Sequence, residues 1–527
     1  MNNQNNKKFI DLKTLESWLK EAANLLRGMD EGLKYIITLL FYKRLCDVFD
    51  DEIRALKDKF SMLEEKEVLK LAREEKLVPF YIPEEAHFQI VRKTTTNLGE
   101  RLTEALRKIA KENSELQGVI DIIDFNETRY SHGERIRVIS DDMLSKLLEI
   151  FNKHTIGLDE TEPDILGRAY EYLLRLYAEG KGKTAGEFYT PREVAFLMAY
   201  CVDPNEGEEV YDPACGSGGF LIKAHLVLRE KLKKQGKEIE LPLKLYGQER
   251  DATTFALAKI NMFIHNIETA DIRLGDTLLN PRFIENGKLK KFDVVLANPM
   301  WNQKGYSEGF CDSDPYERFN FGYVGGPKGR SSFDWGWIQH MFASLKENGR
   351  MAVILDTNAV SRGTGKKKDK EKQVRQKFVD NDFIEAVLLL PENLFYNTGA
   401  PGIILFIRKR KPEERKGKIL LINASKEFVK GKPKNYLSEE NIKKIVDVYK
   451  NFKEVKKFSK IITLEEARKA DYNLSPSRFV SVWEEEERRP VEEILKDLEM
   501  VENEKYEVEE KLKNILKQIY EYKISKN

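Results

Sequence analysis

Apolar residues recur at helical spacing through the first part of this chain. In each of four stripes they lie three or four positions apart, as on one face of a helix. The stripes comprise Leu15, Trp18, Leu19, Ala22, Leu25 and Leu26, and then positions within residues 35–49, 102–109 and 143–151. Strand-like alternation is scarce here. The pattern predicts a helical domain over residues 1–156, with a packing or docking role.

Short apolar runs alternate with helical patterns after this domain. Strands are predicted at residues 210–211, 243–248, 272–273, 293–297, 351–355, 384–390 and 402–407, and helices at 220–234, 253–264, 335–345 and 372–379. Such alternation is typical of a doubly wound α/β sheet, which we expect over residues 157–480. The last two strands are joined without a helix, which indicates an antiparallel edge. Residues 418–423 are a candidate for one more strand.

The end of the chain has a different pattern. Apolar residues fall on alternating spacings of four and three inside a segment rich in Glu and Lys, and Lys505 is the one interruption. They are Ile494, Leu498, Val501, Val508, Leu512, Ile515, Ile519 and Tyr522. A seam of this kind predicts a coiled-coil-like helix within residues 481–527 that docks a partner helix. Packing against its own domain is the alternative.

Composition limits the classes of function. A chain of 527 residues is long enough for two or three domains, and 34% charged with 41% hydrophobic residues indicates a soluble protein with a core. The net charge of +1 argues against a surface that grips nucleic acid everywhere, so DNA contacts would need local patches or a partner. The four cysteines have no metal-site spacing, so no metal is expected. The polar N-terminus and interrupted apolar runs predict a cytoplasmic protein without a membrane span.

One Gly-rich segment has the character of a ligand-binding loop. Residues 212–220 read Asp-Pro-Ala-Cys-Gly-Ser-Gly-Gly-Phe, between a predicted strand and a predicted helix. The glycines at 216, 218 and 219 let the backbone turn sharply and approach a ligand. Alone, such a loop also fits a nicotinamide-dependent oxidoreductase.

Three features favour another class of enzyme. The glycines do not follow the Gly-x-Gly-x-x-Gly spacing of dinucleotide sites. Glu249 ends the next strand, where a carboxylate suits ribose hydroxyls, with Asp251 as the second choice. Residues 298–301, Asn-Pro-Met-Trp, end the fourth strand, and a dehydrogenase has no need of them.

That last motif suits methyl transfer to an aromatic amine. The lone pair of such an amine is delocalised, so the nitrogen is a poor nucleophile. The Asn298 side-chain oxygen and the Pro299 carbonyl can accept its two N–H groups and disperse the charge that develops. Trp301 can stack on a flipped base. These residues do not by themselves separate adenine N6 from cytosine N4.

At this point the chain resembles the modification (methyltransferase) subunit of type I restriction-modification systems, an N6-adenine DNA methyltransferase family. The resemblance covers most of the chain. It rests on the order and content of residues 164–173, 187–192, 212–220, 247–251, 275–278, 298–301 and 397–402. It implies a Rossmann-like methyltransferase sheet that uses S-adenosylmethionine.

The resemblance also implies roles by position. The residues expected to bind the cofactor are Glu187, Phe188, Tyr189, Thr190, Pro191, Arg192, Asp212, Gly216, Ser217, Gly218, Gly219, Glu249 and Asp276. The target adenine would be held by Asn298, Pro299 and Trp301. The family pattern is usually Asn-Pro-Pro-aromatic, and Met300 departs from it. Because the two acceptors and the ring remain, we expect activity.

The implied partners are double-stranded DNA, a specificity subunit, a restriction subunit and a second copy of this chain in an assembly of two modification subunits on one specificity subunit. Alternatives are a self-sufficient or orphan amino-methyltransferase and an inactive assembly subunit.

Several segments have a simpler interpretation beside the functional one. Thr190 is the predicted N-cap of the following helix, with Pro191 at its first position. Asp276 could cap a turn. Residues 303–330 could face substrate or only pack, and residues 362–372 read as a mobile surface loop. The basic runs 366–368 and 408–411 could contact phosphates or remain solvated.

Overall fold

The computed structural model describes residues 10, 12–29, 32–131, 134–158, 172–173, 176, 190–265, 267, 270–326, 331–366, 369–395, 398–432, 434–481 and 491–525. The predicted site residues Glu187, Phe188 and Tyr189 lie outside this set, as does most of the segment 164–173. Residues 1–480 form one compact unit and residues 481–527 another. Within the described ranges, no helix is both long and apolar enough to cross a membrane.

The first part of the chain is helical, as its apolar stripes predict. Its helices are α1 (Leu12–Leu25), α2 (Gly32–Lys59), α3 (Glu65–Glu74), α4 (Phe88–Val91), α5 (Leu98–Glu112) and α6 (Asp141–Phe151). Of the predicted stripe residues on α1, Leu15, Trp18, Leu19 and Ala22 are buried in a common core, and Leu25 is partly buried against it. A short antiparallel hairpin, β1 (Thr128–Ser131) with β2 (Glu134–Arg137), was not predicted. Its residues are mostly exposed, so no one-sided apolar alternation marks it.

A large sheet follows, and eight of its nine strands match the predicted apolar runs; the strand at residues 459–463 was not predicted. The strands are β3 (Glu209–Asp212), β4 (Lys244–Glu249), β5 (Asp271–Leu274), β6 (Ile284–Glu285), β7 (Lys288–Leu289), β8 (Phe292–Ala297), β9 (Leu345–Asp356), β10 (Ile384–Leu389), β11 (Gly402–Arg408), β12 (Lys418–Asn423) and β13 (Ser459–Thr463). Nine of them form one sheet in the order β13-β12-β10-β11-β9-β8-β3-β4-β5. The strands β6 and β7 form a separate pair.

The predicted antiparallel strand is present, but its expected place at the edge is wrong. β11 lies inside the sheet and runs antiparallel to both β9 and β10. Its residues from Gly402 to Ile407 are all buried, which suits a central strand with apolar side chains on both faces. An edge strand more often carries charged residues. The antiparallel strand at one edge is instead β13, which pairs with β12.

Helices cover both faces of this sheet. They are α7 (Arg192–Val202), α8 (Gly219–Lys234), α9 (Ala252–Ile264), α10 (Glu308–Asp312), α11 (Asp334–Ala343), α12 (Lys370–Asp380), α13 (Glu439–Lys450), α14 (Leu464–Lys469) and α15 (Pro476–Phe479). One core joins α7, α8 and α13 to the sheet, and another joins α11 and α12 to it. This confirms the doubly wound α/β class. The helical first part of the chain packs against α9 of the sheet region, where Phe263 contacts Phe41 and Phe80.

The chain reverses its direction of winding beside β3. From β3 it passes to β4 and β5 on one side, and later to β8 and β9 on the other. The neighbours β3 and β8 run parallel, with Tyr211 opposite Val295. Such a reversal leaves a crevice at the carboxyl ends of the two strands, where open α/β sheets bind ligands.

In the second unit the structure describes one long helix, α16 (Val491–Ser525). The apolar residues of the predicted seam that the structure describes are exposed. For example, Leu498 is 56% exposed and Leu512 55%. Such a row of exposed apolar side chains suits a helical partner.

Candidate functional site

A cavity of about 1160 Å³, part of it open to solvent, lies at this crevice. Its lining brings together nine predicted site residues: Thr190, Arg192, Asp212, Gly216, Ser217, Gly219, Glu249, Asp276 and Asn298. Four others, Pro191, Gly218, Pro299 and Trp301, lie in the same segments without lining it. The described part of the chain has no group of three or more His, Cys, Asp and Glu side chains that could hold a metal ion.

The glycines of the first loop have different physical roles. Gly216 and Gly218 adopt positive φ, at +53° and +82°. A Cβ on Gly218 would lie 2.4 Å from the movable end of the Met262 side chain, so the left-handed φ is the main reason for glycine there. Gly219 begins α8 and lines the cavity, and a Cβ there would meet nothing within 4 Å. That open space lets a ligand approach the backbone closely.

Asp212 ends β3 as a completely buried carboxylate. One oxygen accepts a hydrogen bond from the Ala214 backbone N–H at 3.0 Å. The other has no hydrogen-bond partner among the described residues. Burial raises the pKa of Asp212 well above its usual range, and the nearby Glu249 adds to this rise. A buried acceptor without a donor is uncommon, and here it faces a cavity that a cationic donor could enter.

Glu249, at the end of β4, is held by the loop opposite. Its two oxygens accept hydrogen bonds from the backbone N–H groups of Gly216 at 3.0 Å and Asp251 at 2.8 Å. Burial raises the pKa of Glu249, and these N–H groups oppose the rise. Asp251, the second choice for a ribose contact, instead caps α9 by accepting from the Thr254 N–H. The structure therefore favours Glu249 of the two.

Asp276 follows β5 and does two things at once. One oxygen accepts from the backbone N–H groups of Leu278 and Leu279, both at 3.0 Å, so the turn-capping interpretation is correct. The other oxygen lies 3.9 Å from Arg250. Burial, with the nearby charge of Asp276, raises the pKa of the Tyr306 phenol to about 12. Capping the turn thus fixes a carboxylate in the cavity wall.

Asn298 is fixed at both ends of its amide. Its Nδ2 donates to Thr190 Oγ1 at 3.0 Å, and its Oδ1 accepts from the Trp301 indole N–H at 2.9 Å. The predicted N-cap role of Thr190 is wrong, because Pro191 occupies the cap position of α7. The Thr190 hydroxyl is therefore available to Asn298. An amide oxygen has two lone pairs, so Oδ1 can still accept a second hydrogen bond.

The other residues of this motif pack around Asn298. The Trp301 ring packs edge-on against Phe395 at 5.0 Å, close to the backbone of Gly402. Pro299 is buried, whereas Met300 is 39% exposed and lines the cavity. The side chain that departs from the family pattern thus faces the space where a ligand would sit.

Several residues that no sequence motif predicts complete the cavity. Lys223, one turn into α8, is buried and lies 5.3 Å from the Phe196 ring. Asn261 donates to the Ser217 carbonyl at 3.0 Å. Gln303 accepts from the Trp337 indole at 2.8 Å. Only the closeness of Lys223 to the glycines and of Gln303 to the Asn298 motif could have marked them.

The described part of the segment 303–330, residues 303–326, both lines the cavity and packs in the core. Gln303 and Tyr306 line the cavity, whereas Phe319 and Val324 are buried in the core. Arg318 is buried and donates to the carbonyl oxygen of Leu278 at 2.8 Å. This segment therefore packs against the turn that carries Asp276 while its beginning reaches the cavity.

The second basic run is largely tied into the fold. Arg408 bonds the buried Glu385 at 2.8 Å, and Lys411, itself buried, bonds Asp382 at 2.6 Å. Lys409 donates to a backbone carbonyl. These contacts match neither alternative, because Arg408, Lys409 and Lys411 are neither solvated nor available to phosphates. Of the other run, residues 367 and 368 lie outside the described set.

Comparisons with known proteins point to one family. Residues 161–488 match the N-6 DNA methylase family model, and residues 15–151 match the HsdM N-terminal domain. The chain is 39% identical to the type I restriction enzyme MjaVIII methylase subunit of Methanocaldococcus jannaschii, over 95% of this chain and 84% of that one. It is 28% identical to the MpnII methylase subunit of Mycoplasma pneumoniae, over 96% of each. A type I restriction-modification methyltransferase subunit from Streptococcus thermophilus has a TM-score of 0.73 at 26% identity, covering 90% of this chain and 100% of the other.

Proposed function

Since this chain belongs to the N-6 DNA methylase family, among the methylase subunits of type I restriction enzymes, we propose that the cavity holds S-adenosylmethionine beside a flipped adenine. The activity is adenine-specific methylation of DNA. One observation carries the assignment of the site: Asp212, Glu249, Asp276 and Asn298 line a single cavity where the winding of the sheet reverses.

The residues of the cavity fit this cofactor. The unbonded Asp212 oxygen would accept from its ammonium group, and Glu249 would accept from its ribose hydroxyls. Asp276 is the carboxylate suited to its adenine amine, and Gly219 leaves room for close contact. When bound, the cofactor supplies an activated methyl group on a sulfonium.

Asn298 and Pro299 would prepare the amine of the target base. The Asn298 oxygen and the Pro299 carbonyl accept its two N–H groups, which disperses the positive charge that develops on the nitrogen during transfer. The Thr190 and Trp301 hydrogen bonds orient the Asn298 amide before the base arrives, so little reorganisation is needed. The proton leaves the nitrogen after transfer through these same acceptors.

Base stacking is the role proposed for Trp301. Its packing on Phe395 holds the indole ring in place beside Asn298. A ring fixed in this way can receive an extrahelical base at a low entropic cost. The exposed Met300 side chain would border the same base.

Target recognition would come from partners. The net charge of +1 is a weak electrostatic footprint for double-stranded DNA, which is consistent with a specificity subunit that reads the sequence. We expect the exposed seam of α16 to dock that subunit. Two copies of this chain would share one specificity subunit, and a restriction subunit would join for cleavage.

Methyl transfer from labelled S-adenosylmethionine to DNA tests this proposal. The chain is assayed alone and with a co-expressed specificity subunit, and the modified base is identified. N6-methyladenine formed only with the partner supports the full proposal. Transfer by the chain alone would instead indicate a self-sufficient enzyme. Cofactor binding and assembly without any transfer would indicate an inactive assembly subunit.

A further inference from the structure

The residue directly after the Asn298 motif is held by two separate contacts. Asn302 follows Trp301 and adopts a left-handed backbone, with φ of +53°. Its backbone N–H donates to Asp334 Oδ1 at 2.8 Å, and its side-chain oxygen accepts from the Arg362 guanidinium. Left-handed backbone is unfavourable for residues other than glycine, so these contacts help to maintain it.

Arg362 is in turn bound by carboxylates on two helices. It lies 3.4 Å from Asp334, the first residue of α11, and contacts Glu371 in the first turn of α12. The Asp334 side chain is 0% exposed and that of Glu371 6%. Two nearly buried acids therefore hold one arginine, whose planar fork reaches Asn302 as well.

The backbone around Arg362 is also fixed. Arg375, which is completely buried in α12, donates to the carbonyl oxygens of Arg362 at 2.8 Å, Ala359 at 3.3 Å and Tyr472 at 2.7 Å. The first residue of the predicted mobile loop 362–372 is thus an anchor, and that prediction is wrong for Arg362.

From this arrangement we propose that Arg362 is a positioning residue for methyl transfer, which acts on the Asn298 motif through the side chain of Asn302. This inference rests on the proposed function. The motif is then held at its beginning by Thr190 and directly beyond its end by Arg362. Arg362 does not line the cavity, and its guanidinium is bound to Asn302, Asp334 and Glu371, so the inference places it behind Asn302 and not against cofactor or base.

The energetics favour this role over simple stabilisation. A buried ion pair often contributes little net stability compared with apolar side chains of the same size, because desolvation offsets the attraction. Here one nitrogen of the Arg362 guanidinium donates to Asn302, which has a left-handed φ and lies beside the proposed reacting groups. A misplacement of about 1 Å at a reacting group can lower the rate about 100-fold.

Asn302→Gly tests the inference with little disturbance of the fold. Glycine tolerates the left-handed backbone and keeps the N–H donor to Asp334, so only the contact with Arg362 is lost. We expect kcat for DNA methylation by the complex with the specificity subunit to fall about 10- to 100-fold. The Kd for S-adenosylmethionine should stay within about twofold of the parent, because the cavity lining is unchanged. Asn286→Gly is the matched control, since Asn286 has φ of +51° in an exposed turn, and it should leave kcat unchanged.

Arg362→Lys, Asn302→Gly and the variant that carries both substitutions form a double-mutant cycle. Lysine keeps a charge for the two acids and loses the fork. If Arg362 acts through Asn302, the double variant should be no slower than the slower single variant. Effects on kcat that simply multiply, or an Asn302→Gly enzyme within about twofold of the parent, would overturn the inference and leave the proposed function intact. A parent complex that transfers no methyl group would overturn both.

Discussion

The orphan oxygen of Asp212 gives the sharpest quantitative prediction. Among the described residues, this completely buried carboxylate accepts a single hydrogen bond, from the Ala214 N–H, and the charge of Glu249 raises its pKa further. The ammonium group of S-adenosylmethionine would supply the missing donor and the missing positive charge. Asp212→Asn keeps the shape of the side chain and removes the charge.

The expected loss of affinity follows from the value of such a contact. A hydrogen bond to a charged group contributes about 1.5–3 kcal/mol, so the Kd for S-adenosylmethionine should rise about 10- to 100-fold. Stability should change in the opposite direction. Burial raises the folded-state pKa of Asp212, so the cofactor-free fold loses stability as pH rises from the usual carboxyl pKa to the folded one. Asp212→Asn removes this loss and should be at least as stable at neutral pH.

Calorimetric titration with three ligands separates the ammonium contact from other effects. S-adenosylmethionine and S-adenosylhomocysteine carry the ammonium group, whereas 5′-methylthioadenosine lacks it and should bind both proteins alike. Asp251→Asn is the matched control, because Asp251 caps α9 away from the cavity and Asn caps equally well. Equal losses for all three ligands, or an Asp212→Asn Kd within twofold of the parent, would refute the reasoning.

Three further predictions concern other parts of the site. Thr190→Val removes the acceptor for the Asn298 amide, worth about 1 kcal/mol, and should lower kcat about fivefold in the transfer assay, whereas Thr190→Ser should not. Gly218→Ala should lower the melting temperature because of its left-handed φ, whereas Gly219→Ala should keep the melting temperature and weaken cofactor binding in a titration; the reverse pattern would contradict these roles. Burial raises the pKa of Glu371 from 4.5 to about 7, so the free energy of unfolding should fall as pH rises between these values, by at most about 3 kcal/mol. Glu371→Gln should flatten this pH dependence in denaturant unfolding, and the same pH dependence in parent and variant would count against this role of Glu371.

The sequence was a good guide to the central strands, for a physical reason. Parallel strands covered on both faces are apolar runs, and β4 and β8 stand out because a candidate site residue follows or ends each run. The order of the strands could not be read in the same way. Periodicity shows that β11 is buried but not which strands flank it, and only the structure places it between β9 and β10.

The candidate site likewise contains residues that the sequence could reveal and residues that only the structure shows. Residues within a motif, such as Asp212, Glu249 and Asn298, could be found because the chemistry requires those types at strand ends. The hydrogen bond from Asn298 to Thr190 joins positions 108 residues apart, and no local pattern announces it. The contact of Arg362 with Asn302 was hidden for the same reason, inside a segment that reads as a polar loop.

Central to the proposed function is that the Asn298 side-chain oxygen accepts a hydrogen bond from the adenine amine during methyl transfer. The direct measurement is the single-turnover rate of N6-methyladenine formation by preformed complexes of parent and Asn298→Ala, at saturating S-adenosylmethionine and DNA. Loss of a preorganised group of this kind typically costs about 100- to 1000-fold in rate, and we expect that loss with an unchanged Kd for the cofactor. A rate within tenfold of the parent, or a product identified as N4-methylcytosine, would contradict the account.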